Sequence, residues 1–127
     1  MKILLDTHIF LWYISGDKRI ASAMLHQIRQ PRNEIYLSVV SLWEVIIKYQ
    51  LGKMPLPQSP DIYLPLQRQR HLIHNLAVDE ASVQQLIKLP PLHNDPFDRL
   101  LICQAIEHGM TIATVDSHIL AYPVSTL

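Results

Sequence analysis

The chain is poor in the residues on which many enzyme motifs depend. Cys103 is its only cysteine, so no intrachain disulfide can form, which suits a reducing cytosol. The three glycines, Gly16, Gly52 and Gly109, are too few and too scattered to write a dinucleotide fingerprint or a P-loop. Neither Gly-x-Ser-x-Gly nor His-Glu-x-x-His occurs, which argues against a serine hydrolase and a zinc peptidase. Charge of one sign is also missing. Eleven basic and eleven acidic side chains cancel, so a nucleic-acid ligand has to be held by local patches, not by a global field. No apolar run approaches the roughly 20 residues of a membrane span. The first run, Ile3-Leu4-Leu5, meets an acid at Asp6, too early for a secretory leader. These absences together lead us to expect a soluble, cytoplasmic protein with no membrane partner.

What is present is a core. Hydrophobic residues make up 49% of the chain and charged ones 17%, enough to fold one domain across residues 1–127. Ile3-Leu4-Leu5 reads as a buried strand, followed by a helix from His8 to Ile14 that ends near Gly16. Asp17 is placed to cap a helix from Lys18 to about Gln30, closed by Pro31. Ile35–Leu37 reads as a second strand and Val39–Leu51 as an apolar helix capped by Ser38 and stopped by Gly52. After a proline-rich loop, Ser59-Pro60 opens a helix that Pro65 should kink or shorten. A third strand is expected within Leu72–Val78, then a helix from Asp79 to about Lys88. A helix from Pro96 to His108 follows, then a strand Ile112–Val115, a short helix Ser117–Ala121 and a fifth strand in Val124–Leu127. Strands alternating with helices imply an α/β fold with a mostly parallel sheet of four or five strands.

Four acids fall where such a fold collects ligands, outside the carboxyl ends of its strands. Asp6 follows the first strand and Asp116 the fourth, Asp98 lies in the first turn of the helix from Pro96, and Glu44 lies early in the helix after the second strand. Gathered together, four carboxylates repel, and hard cations such as Mg²⁺ or Mn²⁺ relieve this through oxygen ligands. Phosphodiester hydrolysis is the chemistry such a site serves best. Each acid also has a structural explanation. Asp6, Asp95 and Asp116 suit helix caps, Asp98 suits the helix dipole, and Ser41 with Glu44 has capping-box spacing. Glu44 and Lys48 form an i,i+4 pair. Glu44 is the hardest to explain this way, because nearly every neighbour in Val39–Ile47 is apolar.

Asp6-Thr7-His8-Ile9-Phe10-Leu11-Trp12, Trp43-Glu44 with Lys48, His93-Asn94-Asp95-Pro96-Phe97-Asp98-Arg99-Leu100-Leu101 with Gln104-Ala105, and Thr114-Val115-Asp116 resemble, in order, the four motifs of PIN domains. The resemblance spans almost the whole chain. It implies a three-layer α/β/α fold and a Mg²⁺- or Mn²⁺-dependent endoribonuclease that leaves 3′-hydroxyl and 5′-phosphate ends. Domains of this length resemble VapC-like toxins, which implies a homodimer held inactive by a cognate antitoxin, with RNA as substrate. By position, Asp6, Glu44, Asp98 and Asp116 would be the metal-binding and catalytic acids. Asp95 is expected to cap or support, and Thr7 and Thr114 to back the acids or cap helices.

Other readings compete. His71 and His74 have i,i+3 spacing for a metal, but no cysteine pair accompanies them. His8 and His93 border the motifs and are expected to be partly buried, hydrogen-bonded histidines. Lys18-Arg19, Arg29, Arg32, Arg68 and Arg70 are candidate phosphate contacts but read more simply as solvated faces. An aspartyl phosphotransferase would want an acid where His8 stands, and a receiver domain would want a lysine beyond Lys88, the last one. The rival function is a catalytically silent module of the same fold that binds RNA or a protein; a purely structural role is a weaker third option.

Overall fold

Four strands, β1 (Lys2–Leu5), β2 (Glu34–Ser38), β3 (His74–Leu76) and β4 (Thr111–Ala113), form one sheet in the computed structural model, which describes residues 1–127. The order is β3-β2-β1-β4 and every pairing is parallel. Ile3 stands opposite Ile35 on one side and Thr111 on the other, so β1 is an interior strand. Ile3, Leu4 and Leu5 are accordingly all fully buried, as expected of a strand covered on both faces.

The helices are α1 (Thr7–Ser15), α2 (Ser22–Arg29), α3 (Val39–Gln50), α4 (Pro60–Arg70), α5 (Glu80–Gln84), α6 (Pro96–His108) and α7 (Ser117–Leu120). Alternation along β1 divides them into two layers. Ile3 and Leu5 pack with Ile9 and Phe10 of α1, Met24 and Ile28 of α2 and Leu64 of α4. Leu4 points the other way, onto Leu101, Ile102 and Ala105 of α6 and Ile119 of α7. Each large side chain buried in these cores contributes about 1.5–3 kcal/mol. The result is the three-layer α/β/α fold with its parallel sheet.

Several boundaries differ from the sequence reading. Asp17 does not cap a long helix. It accepts from the Arg19 backbone N–H and pairs with the Arg19 guanidinium, a local turn that delays α2 to Ser22. The third strand is confined to His74–Leu76, because Leu72 takes a left-handed backbone (φ 56°) that cannot extend. The helix after Asp79 tightens into a 3₁₀ turn at Gln85–Ile87. Pro65 lies inside α4, which continues to Arg70. The last strand is reduced to one parallel bridge between Ile112 and Thr126. β4 itself stops at Ala113, so Asp116 stands three residues beyond it, directly before α7.

This topology fixes the place of the site. From β1 the chain builds outward through β2 and β3, then returns to β4 on the opposite side of β1. The carboxyl ends of β1 and β4 therefore flank the switch point, where the connections diverge and leave a crevice.

Candidate active site

Asp6 leaves β1 as the N-cap of α1. Its Oδ1 accepts from the Ile9 N–H at 2.7 Å and its Oδ2 from the Thr114 hydroxyl at 2.5 Å. Thr114, just past β4, also accepts from the Asp116 N–H at 3.0 Å. One hydroxyl thus ties the two acids that flank the switch point. Asp116 caps α7 through the His118 N–H at 2.8 Å, and Asp95 caps α6 through the N–H groups of Phe97 and Asp98. The capping explanation of these acids is correct, and it does not compete with a site. A cap places the carboxylate at the helix mouth, where partial positive charge favours an anion.

Glu44 is 5% exposed and fully partnered. Its Oε2 accepts from Lys48 Nζ at 2.7 Å and its Oε1 from the Thr7 hydroxyl at 2.7 Å. Thr7 lies 2.9 Å from the Ser41 hydroxyl. Thr7 is the donor in both contacts, so its one proton is shared between Glu44 Oε1, the nearer acceptor, and Ser41 Oγ. The capping-box expectation for Ser41 and Glu44 is overturned here. Ser38 is the N-cap, bonding the Val40 N–H at 3.0 Å, and Ser41 lies inside α3, turned toward Thr7. Nor does Glu44 require a metal to be tolerated, as its apolar surroundings suggested, because Lys48 and Thr7 each take one of its oxygens.

These groups converge. Asp6, Thr7, His8, Glu44, Lys48, Asp95, Asp98 and Asp116 line a pocket of about 220 Å³ that has no hydrophobic residue in its wall. All four acids singled out in the sequence are on it, with Asp95 as a fifth. As placed, no three His, Cys, Asp or Glu side chains are set as a ready cation site. Their oxygens are turned instead onto internal donors, Glu44 onto Lys48 and Asp98 onto His93. The donor set is nevertheless all oxygen, the chemistry that hard divalent cations take.

The electrostatics register the crowding. Burial pushes the Asp98 carboxyl up to about 6; the His93 hydrogen bond opposes this, while the charges of Asp95, Asp116 and Glu44 add to it. Burial also raises Asp6 above the usual carboxylate range, against the Thr114 and Ile9 hydrogen bonds, with the Asp116 charge adding a little. Such a cluster carries an excess of negative charge that a cation would relieve.

A family model for the PIN domain matches residues 3–124. This chain belongs to the PIN domain family. Among curated relatives of this PIN domain, ribonuclease VapC16 of Mycobacterium tuberculosis is 41% identical over 54 residues, 42% of this chain and 38% of that protein. The match thus spans well under half of that relative's length. Ribonuclease VapC22 of the same organism is 24% identical over 115 residues, covering 90% of this chain and 86% of that one. Among solved structures, a chain of VapBC2 from Rickettsia felis, bound to a DNA fragment from its promoter, superposes with a TM-score of 0.74 at 17% identity, covering 100% of this chain and 98% of that chain. A chain of VapBC-1 from nontypeable Haemophilus influenzae gives 0.69 at 17% identity, covering 100% and 97%. At these identities the structural likeness speaks for the fold.

The PIN fold also corrects the reading of the histidines. His8 is exposed and lines the pocket, while His93 is half-buried and bonded to Asp98 and Tyr122, as expected of it. His71 and His74 line no part of the pocket and pack on Tyr13 and Tyr36. Lys48, legible as an i,i+4 partner of Glu44 and as a member of the second motif, is the one lysine in the pocket wall. Tyr122 and Arg99 reach the site through His93; Arg99 was legible only as a member of the third motif, and Tyr122 carried no sequence signal of its own.

Proposed function

We propose that this PIN domain is a divalent-cation-dependent endoribonuclease and the toxin of a toxin–antitoxin pair, with Asp6, Glu44, Asp98 and Asp116 holding Mg²⁺ or Mn²⁺. The observation that carries the reading is the eight-residue polar pocket at the sheet's switch point, walled by five carboxylates and one lysine. When bound, such a cation lowers the pKa of water and neutralises charge on a phosphate. The chain's own residues do the rest. Thr114 and the Ile9 N–H hold the Asp6 carboxylate in one orientation, and Thr7 and Lys48 hold Glu44. The Lys48 ammonium offers positive charge to a phosphate entering the pocket.

RNA as substrate is supported by the two ribonuclease relatives, and an antitoxin partner by the likeness to chains of VapBC assemblies. Self-association into a homodimer and a cytoplasmic location belong to the same reading. No helix of the chain is long and apolar enough to cross a membrane.

The test is cleavage of a mixed RNA pool by the purified chain, with Mg²⁺ or Mn²⁺ and with chelator, alongside Asp6→Asn. Cutting that needs the cation, leaves 5′-phosphate ends and vanishes in the variant is the expected result. A folded, antitoxin-free chain that binds Mn²⁺ but leaves every RNA intact would overturn the nuclease assignment and favour the silent RNA- or protein-binding module.

A further inference from the structure

Behind Asp98 lies a chain of hydrogen bonds that the four-acid scheme does not use. The Tyr122 phenol, 4% exposed, has three partners. Arg99 Nη1 is 2.9 Å away, the His93 backbone N 3.1 Å and His93 Nδ1 2.8 Å. On its far side, His93 Nε2 is 3.2 Å from Asp98 Oδ2.

Counting protons gives the chain a direction. A guanidinium and a backbone N–H can only donate, so they occupy both lone pairs of the phenol oxygen. The one remaining proton is the phenol's own, and it goes to His93 Nδ1. That nitrogen is therefore the acceptor, and the neutral ring carries its hydrogen on Nε2, directed at Asp98. A hydrogen on Nδ1 would face an oxygen with no lone pair left. The anchor is firm, since Arg99 also donates to the Pro90 carbonyl at 2.9 Å, pinning the loop that leads to His93. The ring is further held by His118, stacked at 5.2 Å and 7°.

We propose that Tyr122, fixed by Arg99, is a positioning residue for the site. It locks the His93 tautomer and ring so that Nε2–H holds one oxygen of Asp98 and leaves the other turned to the pocket. The inference rests on the reading of Asp98 as a cation-binding acid. Groups that orient a carboxylate or imidazole in this way are commonly worth ten- to a hundredfold in metal affinity.

Two measurements on the full chain test it. The first is the long-range proton–nitrogen NMR spectrum of the His93 ring, without metal. The expected spectrum shows a protonated Nε2 and an Nδ1 displaced by an accepted hydrogen bond, a displacement lost in Tyr122→Phe. The second is Mn²⁺ binding by titration calorimetry without RNA. Tyr122→Phe should weaken it about tenfold, His93→Gln should retain more affinity than His93→Ala, and Asp98→Asn serves as control. A proton on Nδ1 overturns the proposal, as does a Tyr122→Phe variant whose ring signals and Mn²⁺ affinity match the parent. If the parent and Asp98→Asn bind Mn²⁺ alike, the cation role of Asp98 fails instead, and the ring spectrum still decides the tautomer lock.

Discussion

Thr114 and Asp6, 108 positions apart in the chain, share a 2.5 Å hydrogen bond across the carboxyl ends of two neighbouring strands. Thr114→Val keeps the shape and removes the hydroxyl, leaving one Asp6 oxygen and the Asp116 N–H without their partner. A loss of about 1–3 kcal/mol in stability is expected, with cleavage reduced at least tenfold, and Thr114→Ser should recover most of both. Urea unfolding and a fixed-time RNA digest read the two effects.

Lys48 pairs with buried Glu44 at 2.7 Å, and under the proposed function it competes there with the cation. Lys48→Met leaves that carboxylate with Thr7 as its only side-chain donor, so the cation-free variant should melt below the parent. Added Mn²⁺ should raise the melting temperature of the variant more than that of the parent, because it no longer competes with an ammonium. Equal shifts in both proteins would show that Lys48 and the cation do not share Glu44.

Asp98 binds its proton more tightly in the folded than in the unfolded chain, its carboxyl being raised to about 6. Its contribution to stability is therefore complete below about pH 4 and is lost as pH rises through about 6. Asp98→Asn keeps an oxygen for His93 but no charge. Without metal at neutral pH it should be more stable than the parent, on the order of 1–2 kcal/mol, and the two should converge near pH 4. Cation binding runs the other way, since it needs the ionised acid, so at subsaturating Mn²⁺ parent cleavage should rise with pH through about 6. Denaturant titrations in chelator and a pH series of digests check the two halves.

Gln104 is wholly buried between the layers, accepting from the Ser38 hydroxyl at 2.6 Å and donating to the Ala77 carbonyl at 3.1 Å. Gln104→Leu strands both partners and should cost about 2–4 kcal/mol. Because Ser38 caps the helix that carries Glu44, Mn²⁺ affinity should fall as well. Calorimetry on the folded variant separates that loss from lower stability.

Much of this protein was legible in its residues. The unbroken Ile3-Leu4-Leu5 announced a strand buried on both faces, and Asp6, Asp98 and Asp116 each followed a strand or stood in the first turn of a helix, while Glu44 stood out as an acid within the apolar helix α3. Capping is local chemistry, so Asp95, Ser38, Asp79 and the left-handed stops at Gly16 and Gly109 could be read within a few residues. Where a local competitor existed, the reading went astray. Asp17 chose Arg19 over a helix, and Leu72 turned where an extended chain was expected.

The sequence by itself therefore determined the elements, their alternation and the three aspartates at their junctions, because periodicity and capping act over one or two turns. Only the tertiary structure decided which groups those acids would meet. The sheet order brings Thr114 to Asp6, the crossing of α1 over α3 brings Thr7 to Glu44, and the tail after α7 brings Tyr122 to His93. These partners lie 108, 37 and 29 positions apart. No local rule links residues at that range, because their meeting follows from how the two layers close on the sheet.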